Sequence, residues 1–283
     1  MATNDRIVLI TGATGQQGGS LIRALQGKGL RLRAMTRRPD STPALALKAL
    51  GVELVQGDLD DERSLERAVA GAWGVFAVQN TWEAGVEKEE EQGKRFARVA
   101  KKAGVQHYVY TSVGSAHRKT GIPHFENKWR IEETVREQGF HSHVIFRPTF
   151  FMENMLTPWF LNDNKITAAL EPETKVQMIA VEDVGRFIAP AFTQPEKFNR
   201  REIDLAGDAV TMPQAAETLA REHGKPIQFV RIPIETVRQN SADYATMLEW
   251  FDKVGYDADI PALAQEFGFK PVTFEEWARK TGA

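Results

Sequence analysis

Along residues 1–150, short apolar runs alternate with stretches whose apolar positions recur at helical spacing. Residues 6–11 (RIVLIT) contain the apolar run IVLI and end at a glycine, the pattern of a buried strand. Residues 18–28 follow with Leu21, Ile22 and Leu25 on one helical face. The strand pattern returns at 30–36, 52–56, 73–78, 105–112 and 142–147. Helical patterns at 42–50, 62–70, 86–103 and 127–138 separate these runs. Strands alternating with helices imply βαβ units on a parallel sheet, and right-handed crossovers wind that sheet doubly. The predicted fold class is therefore α/β, with a Rossmann doubly wound parallel sheet over residues 1–150.

After Pro148 the rhythm changes, and residues 150–161 are rich in aromatic residues and methionine. Strand patterns at 175–180, 201–206 and 227–232 are interleaved with helical ones at 182–191, 211–223 and 244–254. Thr211 followed by Pro213 reads as the cap and first turn of a helix. Residues 151–283 are predicted to form a smaller C-terminal α+β annex, a substrate or partner domain, while parts of 175–206 complete the Rossmann sheet.

The near balance of charge, net −2, argues against a nucleic-acid partner, which calls for a basic surplus. The absence of cysteine removes disulfides, thiolate metal sites and cysteine nucleophiles, and fits a reducing compartment. His107, His117, His141 and His143 show no metal-ligand spacing, so no metal is expected. The first six residues lack an apolar signal core, and no run approaches the ~18 apolar residues of a membrane helix. A cytoplasmic protein with no membrane association is expected.

The first strand runs into Gly12-Ala13-Thr14-Gly15-Gln16-Gln17-Gly18-Gly19, a G-x-x-G-x-x-G turn opening a helix. Gly12 permits the tight turn, Gly15 lets a pyrophosphate approach, and Gly18 allows helix and strand to touch. The freed amides and the helix dipole then face phosphate, and Thr14, Gln16 and Gln17 offer side-chain donors. After the second strand come Arg37 and Arg38, where a carboxylate would read the ribose of NAD. A guanidinium there can grip a 2′-phosphate, so the expected cofactor is NADP(H), with Arg37 the first choice. Asp58 follows the third strand and reads equally as an acceptor for the adenine amino group or as a helix cap.

TGATGQQGG, TRR, GDL, YTSV, HFENK and RPTFFMEN together resemble the NmrA-like proteins, atypical relatives of the short-chain dehydrogenases/reductases, over roughly residues 5–275. The resemblance implies a Rossmann domain with a smaller C-terminal domain, and NADP(H) as ligand. It implies either a redox-sensing regulator or an NADPH-dependent reductase of quinones or phenolic ethers. By resemblance, Thr14, Gln16, Gln17 and Gly18 fall at the pyrophosphate and Arg37 at the 2′-phosphate. Gln79 and Asn80 fall along the cofactor, Lys128 at the nicotinamide ribose, and Pro148, Thr149 and Phe150 beside the ring.

Ordinary short-chain dehydrogenases carry Tyr-x-x-x-Lys on one helical face. Here the run is His124-Phe125-Glu126-Asn127-Lys128, so histidine stands in the tyrosine position. His124 reads either as a proton relay at neutral pH or as a polar residue at a helix start. Ser112 matches the usual serine, with Thr111 and Ser115 as alternatives. The acidic run 87–91 reads as a solvated helix start that compensates the dipole. The aromatic stretch 146–159 divides between core and the wall of an apolar pocket.

Without the tyrosine, the expected function is an NADP(H)-binding redox sensor with little or no classical dehydrogenase activity, read by a regulatory protein. Segments 81–87 and 154–165 are its candidate two-state elements. The alternative is a reductase of a small apolar quinone, enone or carbonyl compound, using Lys128 and His124.

Overall fold

The computed structural model describes residues 5–282. The alternating first part forms β1 (Ile7–Ile10), α1 (Gln16–Leu25), β2 (Arg31–Thr36), α2 (Thr42–Ala49), β3 (Glu53–Gln56), α3 (Glu62–Val69) and β4 (Gly74–Ala77). It continues with α4 (Thr81–Ala84), α5 (Val86–Lys102), β5 (His107–Thr111), α6 (Pro123–Glu137) and β6 (Ser142–Pro148). Then come β7 (Phe150–Phe151), β8 (Leu161–Asn162), β9 (Lys165–Ala168), β10 (Lys175–Ile179), α7 (Val181–Thr193), α8 (Pro195–Phe198), β11 (Arg201–Leu205) and β12 (Asp208–Thr211). The chain closes with α9 (Met212–His223), β13 (Gln228–Arg231), α10 (Ile234–Asn240), α11 (Ala242–Lys253), α12 (Ile260–Phe267) and α13 (Phe274–Gly282).

Seven strands make one sheet in the order β11-β6-β5-β4-β1-β2-β3. The strands from β3 to β6 pair in parallel, with Ile7 opposite Arg31, Val8 opposite Gly74 and His107 opposite Ser142. The chain runs outward through β2 and β3, then returns to place β4 beside β1. The strand order therefore reverses between β1 and β4, the switch point at which open α/β sheets bind ligands. This is the predicted doubly wound Rossmann sheet.

The chain divides into two compact units. The first holds the residues up to Ser112 with Asn127–Phe146 and Val184–Ile203. Its core on one sheet face joins Leu9, Val75, Ala77, Tyr108 and Tyr110 to Leu65 of α3, Phe96 of α5 and Ile131 of α6. The second holds Val113–Glu126, Arg147–Asp183 and the residues from Asp204 onward. It contains two three-stranded sheets, β12-β10-β7 and β13-β9-β8. Of the segment 175–206, β11 joins the large sheet, whereas β10 pairs with β7 and β12.

The methionine-rich stretch goes largely to the core of this second unit. Met152 and Met155 are fully buried beside Met178, Met212, Trp250 and Phe274, while Trp159 is exposed. α9 begins with a capping box, in which Gln214 N–H donates to Thr211 Oγ1 and the Gln214 side chain accepts from Thr211 N–H.

Candidate cofactor site

Gly12 leaves β1 with φ of 56°, in the left-handed region open to glycine. A Cβ on Gly18 would lie 2.4 Å from the Gly12 carbonyl oxygen, so only glycine lets α1 start this close to the strand end. The turn closes with Gly15 N–H donating to Gly12 O at 2.9 Å. Gly15 caps α1 with no side-chain bond, and the first turn carries no acid. A ten-residue helix thus offers its first amides and the positive end of its dipole without an internal anion. Thr14, Gly15 and Gln16 are exposed. Gln17 accepts from Thr111 Oγ1 at 2.7 Å through Oε1, so its NH2 remains as the donor.

Gly18→Ala should therefore cost about 1–3 kcal/mol of stability and weaken dinucleotide binding, because backbone rather than a mobile side chain must yield. Gly19→Ala is the control, since a Cβ there meets its nearest neighbour at an ordinary 3.5 Å. Urea unfolding and a dinucleotide titration read the pair. Equal behaviour of the two variants would remove the packing argument.

Arg37 lies one residue past β2 and is exposed. Its Nη2 donates to Glu83 Oε1 on α4. That bond, with the charges of Glu83, Asp58 and Asp60, holds the guanidinium above its ordinary pKa. Arg38 is exposed beside it. Asp58 is half-buried and accepts from Asp60 N–H at 3.0 Å, while Asp61 is the residue that caps α3, accepting from Arg63 N–H.

Gln79 follows β4 at the switch point. It is 5% exposed, and neither atom of its amide has a hydrogen-bond partner among the described residues. A buried amide left unpaired is costly, so this position suits a ligand that supplies both a donor and an acceptor. Ser112, just past β5, has a buried hydroxyl in the same condition. Asn80 turns its Oδ1 to Trp82 N–H at 3.1 Å and caps α4.

Lys128 does not stand alone. Its Nζ donates to Glu89 Oε1 at 2.6 Å, and Glu89 is fully buried. Asn127 Nδ2, at 2.9 Å, and Thr81 Oγ1 both donate to Glu89 Oε2. Burial pushes this carboxyl up, but the Lys128 charge and the three donated hydrogen bonds outweigh it and hold the pKa below its ordinary value. The expectation of a wholly solvated acidic run is thus corrected. Glu87 and Glu91 are exposed, but Glu89 points inward because helical spacing puts it on the face of Gln92, Gly93, Phe96 and Ala97.

In the second unit, His124 is 6% exposed, and its Nδ1 bonds Asp243 Oδ1. Its ring stands edge-on to Phe125 at 4.8 Å between centroids. Pro148 accepts from Gly114 N–H at 2.9 Å. Thr149 directs both its N–H and its hydroxyl to the Leu205 carbonyl, at 2.9 and 3.0 Å. Phe150 packs edge-on against Phe160 at 5.3 Å, within the hydrophobic core of this unit. Arg147 is buried between His117 Nδ1, 3.0 Å from its Nη1, and Asp204 Oδ1 at 3.5 Å. Asp204 also accepts from Ser115 N–H at 2.7 Å, and burial raises its carboxyl above the usual range.

Glu83, Glu89, Asp243 and Asp204 are the polar residues that pattern reading passes over. Only Glu89 carries a sequence signal, its phase with the apolar face of α5. Among the described residues no group of three or more His, Asp or Glu could hold a metal, and no helix is long and apolar enough to cross a membrane.

The NmrA-like family profile matches residues 4–278. An NmrA-like family domain-containing oxidoreductase, malD of Malbranchea aurantiaca, is 29% identical over 82% of this chain and 77% of its own. An NADPH-dependent quinone oxidoreductase from Escherichia coli, solved in complex with NADPH, superposes with a TM-score of 0.81 at 24% identity, covering 98% of this chain and 100% of that one. NmrA, a negative transcriptional regulator solved in complex with NADP, superposes with a TM-score of 0.77 at 23% identity, covering 98% and 95%. The match over nearly the whole chain settles the family: this protein belongs to the NmrA-like family.

Proposed function

We propose that this protein binds NADP(H) and acts as an NADPH-dependent reductase of a small apolar quinone, enone or carbonyl compound. The cofactor's diphosphate goes to the amides at the head of α1, its 2′-phosphate to Arg37, and its polar edge to the Gln79 amide. Lys128, positioned by its bond to Glu89, serves the ribose. When bound, NADPH supplies hydride. The observation that carries the reductase reading is the His124–Asp243 pair. A carboxylate on Nδ1 fixes the imidazole ring, so that in its protonated form Nε2 carries the transferable proton. His124 thereby takes the proton-donating role that tyrosine fills in ordinary relatives, one helical turn before Lys128 on α6.

Loss of NADPH absorbance across a panel of quinones and enones tests this. His124→Phe should lower kcat about 100-fold and leave the NADPH Kd unchanged, as expected for loss of a general acid. Undiminished turnover in that variant would remove His124 from the chemistry. Absence of turnover across the panel would favour the second reading, an NADP(H)-responsive regulator. One observation supports that second reading: the Lys128 charge is already matched by Glu89, so the lysine has no need of a tyrosine to act on.

A further inference from the structure

We propose that Glu83 competes with the cofactor's 2′-phosphate for Arg37 and so sets how far the protein prefers NADP(H) to NAD(H). The inference rests on the reading that Arg37 receives that phosphate. The segment after β2 contains no carboxylate before Asp40, and this absence alone points to NADP(H). The fold restores a carboxylate from elsewhere. Glu83 lies 46 positions along the chain, on α4, yet accepts from the Arg37 guanidinium.

Glu83 is well placed to act both ways. Its helix is anchored at the start by Asn80, which accepts from Trp82 N–H at 3.1 Å. It is anchored again by Thr81, whose hydroxyl donates to the buried Glu89. The carboxylate therefore stays close when the guanidinium turns to another anion. Arg37 and Glu83 are 61% and 52% exposed, so the pair is worth only ~0.2–1 kcal/mol and yields to a phosphate that binds the guanidinium through two charge-assisted bonds. NADP(H) must break that pair and then tolerate a like charge at its 2′-phosphate. NAD(H) does neither, and its 2′-hydroxyl can donate to a carboxylate. Asp60 is a weaker competitor because Lys88 at 2.8 Å and Gln92 at 3.1 Å already hold it.

Titrations of NADP+ and NAD+ followed by tryptophan fluorescence test the inference without any turnover. Glu83→Gln should tighten NADP+ about 1.4- to 5-fold, the affinity equivalent of the pair it removes, and leave NAD+ unchanged or weaker. Glu87→Gln removes an exposed acid from neighbouring α5 and should leave the ratio of the two affinities where it was. An equal shift in both variants, or none in Glu83→Gln, overturns the role of Glu83. Arg37→Ala separates the levels. If it weakens NADP+ alone while Glu83→Gln changes nothing, only this inference falls. If it changes neither affinity, the phosphate assignment falls with it.

Discussion

Lys128→Ala is expected to lower stability by about 3–5 kcal/mol, because it strands a buried carboxylate. Glu89 has no exposure, and among the described residues Lys128 is the cation bonded to it. Thr81 and Asn127 still donate to Glu89 in the variant, which places the expected loss toward the lower end of that range. An alanine scan would therefore misread this residue, since lost activity would mix misfolding with a lost ribose contact. Lys128→Met combined with Glu89→Gln separates the two. Both charges leave together, while a glutamine oxygen still accepts from Thr81 and Asn127. Stability should recover to within about 1 kcal/mol of the original, as for other buried pairs replaced by neutral groups. Dinucleotide affinity should stay low.

The pH dependence follows from the same pair. Because the folded Glu89 pKa lies below its ordinary value, the stabilisation is present above the ordinary carboxylate range and is lost as pH falls through the folded value. Urea midpoints that are the same for Lys128→Ala and the unsubstituted protein would show that the pair contributes nothing.

The frame of the molecule is legible in its sequence because local rules decide it. The run IVLI has no polar position, so it can only be a central strand, and it lies between β4 and β2. The glycine turn is legible because each glycine answers a separate steric demand, and Gly12 and Gly18 meet theirs in the fold. The charged contacts behave differently. His124 meets Asp243 across 119 positions, and Arg37 meets Glu83 across 46. No period links such residues, and topology alone brings them together.

The second unit is harder to read for another reason. β7 and β8 have two residues each, too short to show alternation. α10 buries no residue fully and meets the core only through half-buried Ile234 and Val237, too narrow an apolar face to read. α9 and α11 are the readable exceptions, lying where the helical patterns at 211–223 and 244–254 put them, whereas α13 goes unpredicted although Phe274, Trp277 and Ala278 are buried at helical spacing.

Acidification from neutral pH to pH 5 is expected to cost about 2 kcal/mol of stability through His107 alone. This residue opens β5 and is 1% exposed. Its ring stacks on Trp73 and meets Phe192 edge-on, each 5.4 Å away between centroids, and its Nδ1 lies 2.9 Å from Ser142 Oγ. Burial pushes the imidazole down to about 3, whereas an unfolded histidine titrates near 6.5. Between those values the unfolded chain takes up a proton that the folded protein refuses. Stability must then fall with pH at ~1.4 kcal/mol per unit until the folded value is reached. His107→Phe keeps an aromatic ring between Trp73 and Phe192 and removes the proton. Its urea midpoints at neutral pH and pH 5 should lie closer together than those of the unsubstituted protein, and parallel curves would sink the assignment.

The same experiment reaches the cofactor site. β5 lies against β4, the strand that leads to Gln79, and itself leads to Ser112. A dinucleotide that binds only the folded protein adds ~2.7 kcal/mol at a hundredfold excess over its Kd. That exceeds the ~2 kcal/mol lost at pH 5. The acid transition should therefore move to lower pH with NADP+ present. It should move less in Arg37→Ala, where the phosphate has lost its cation.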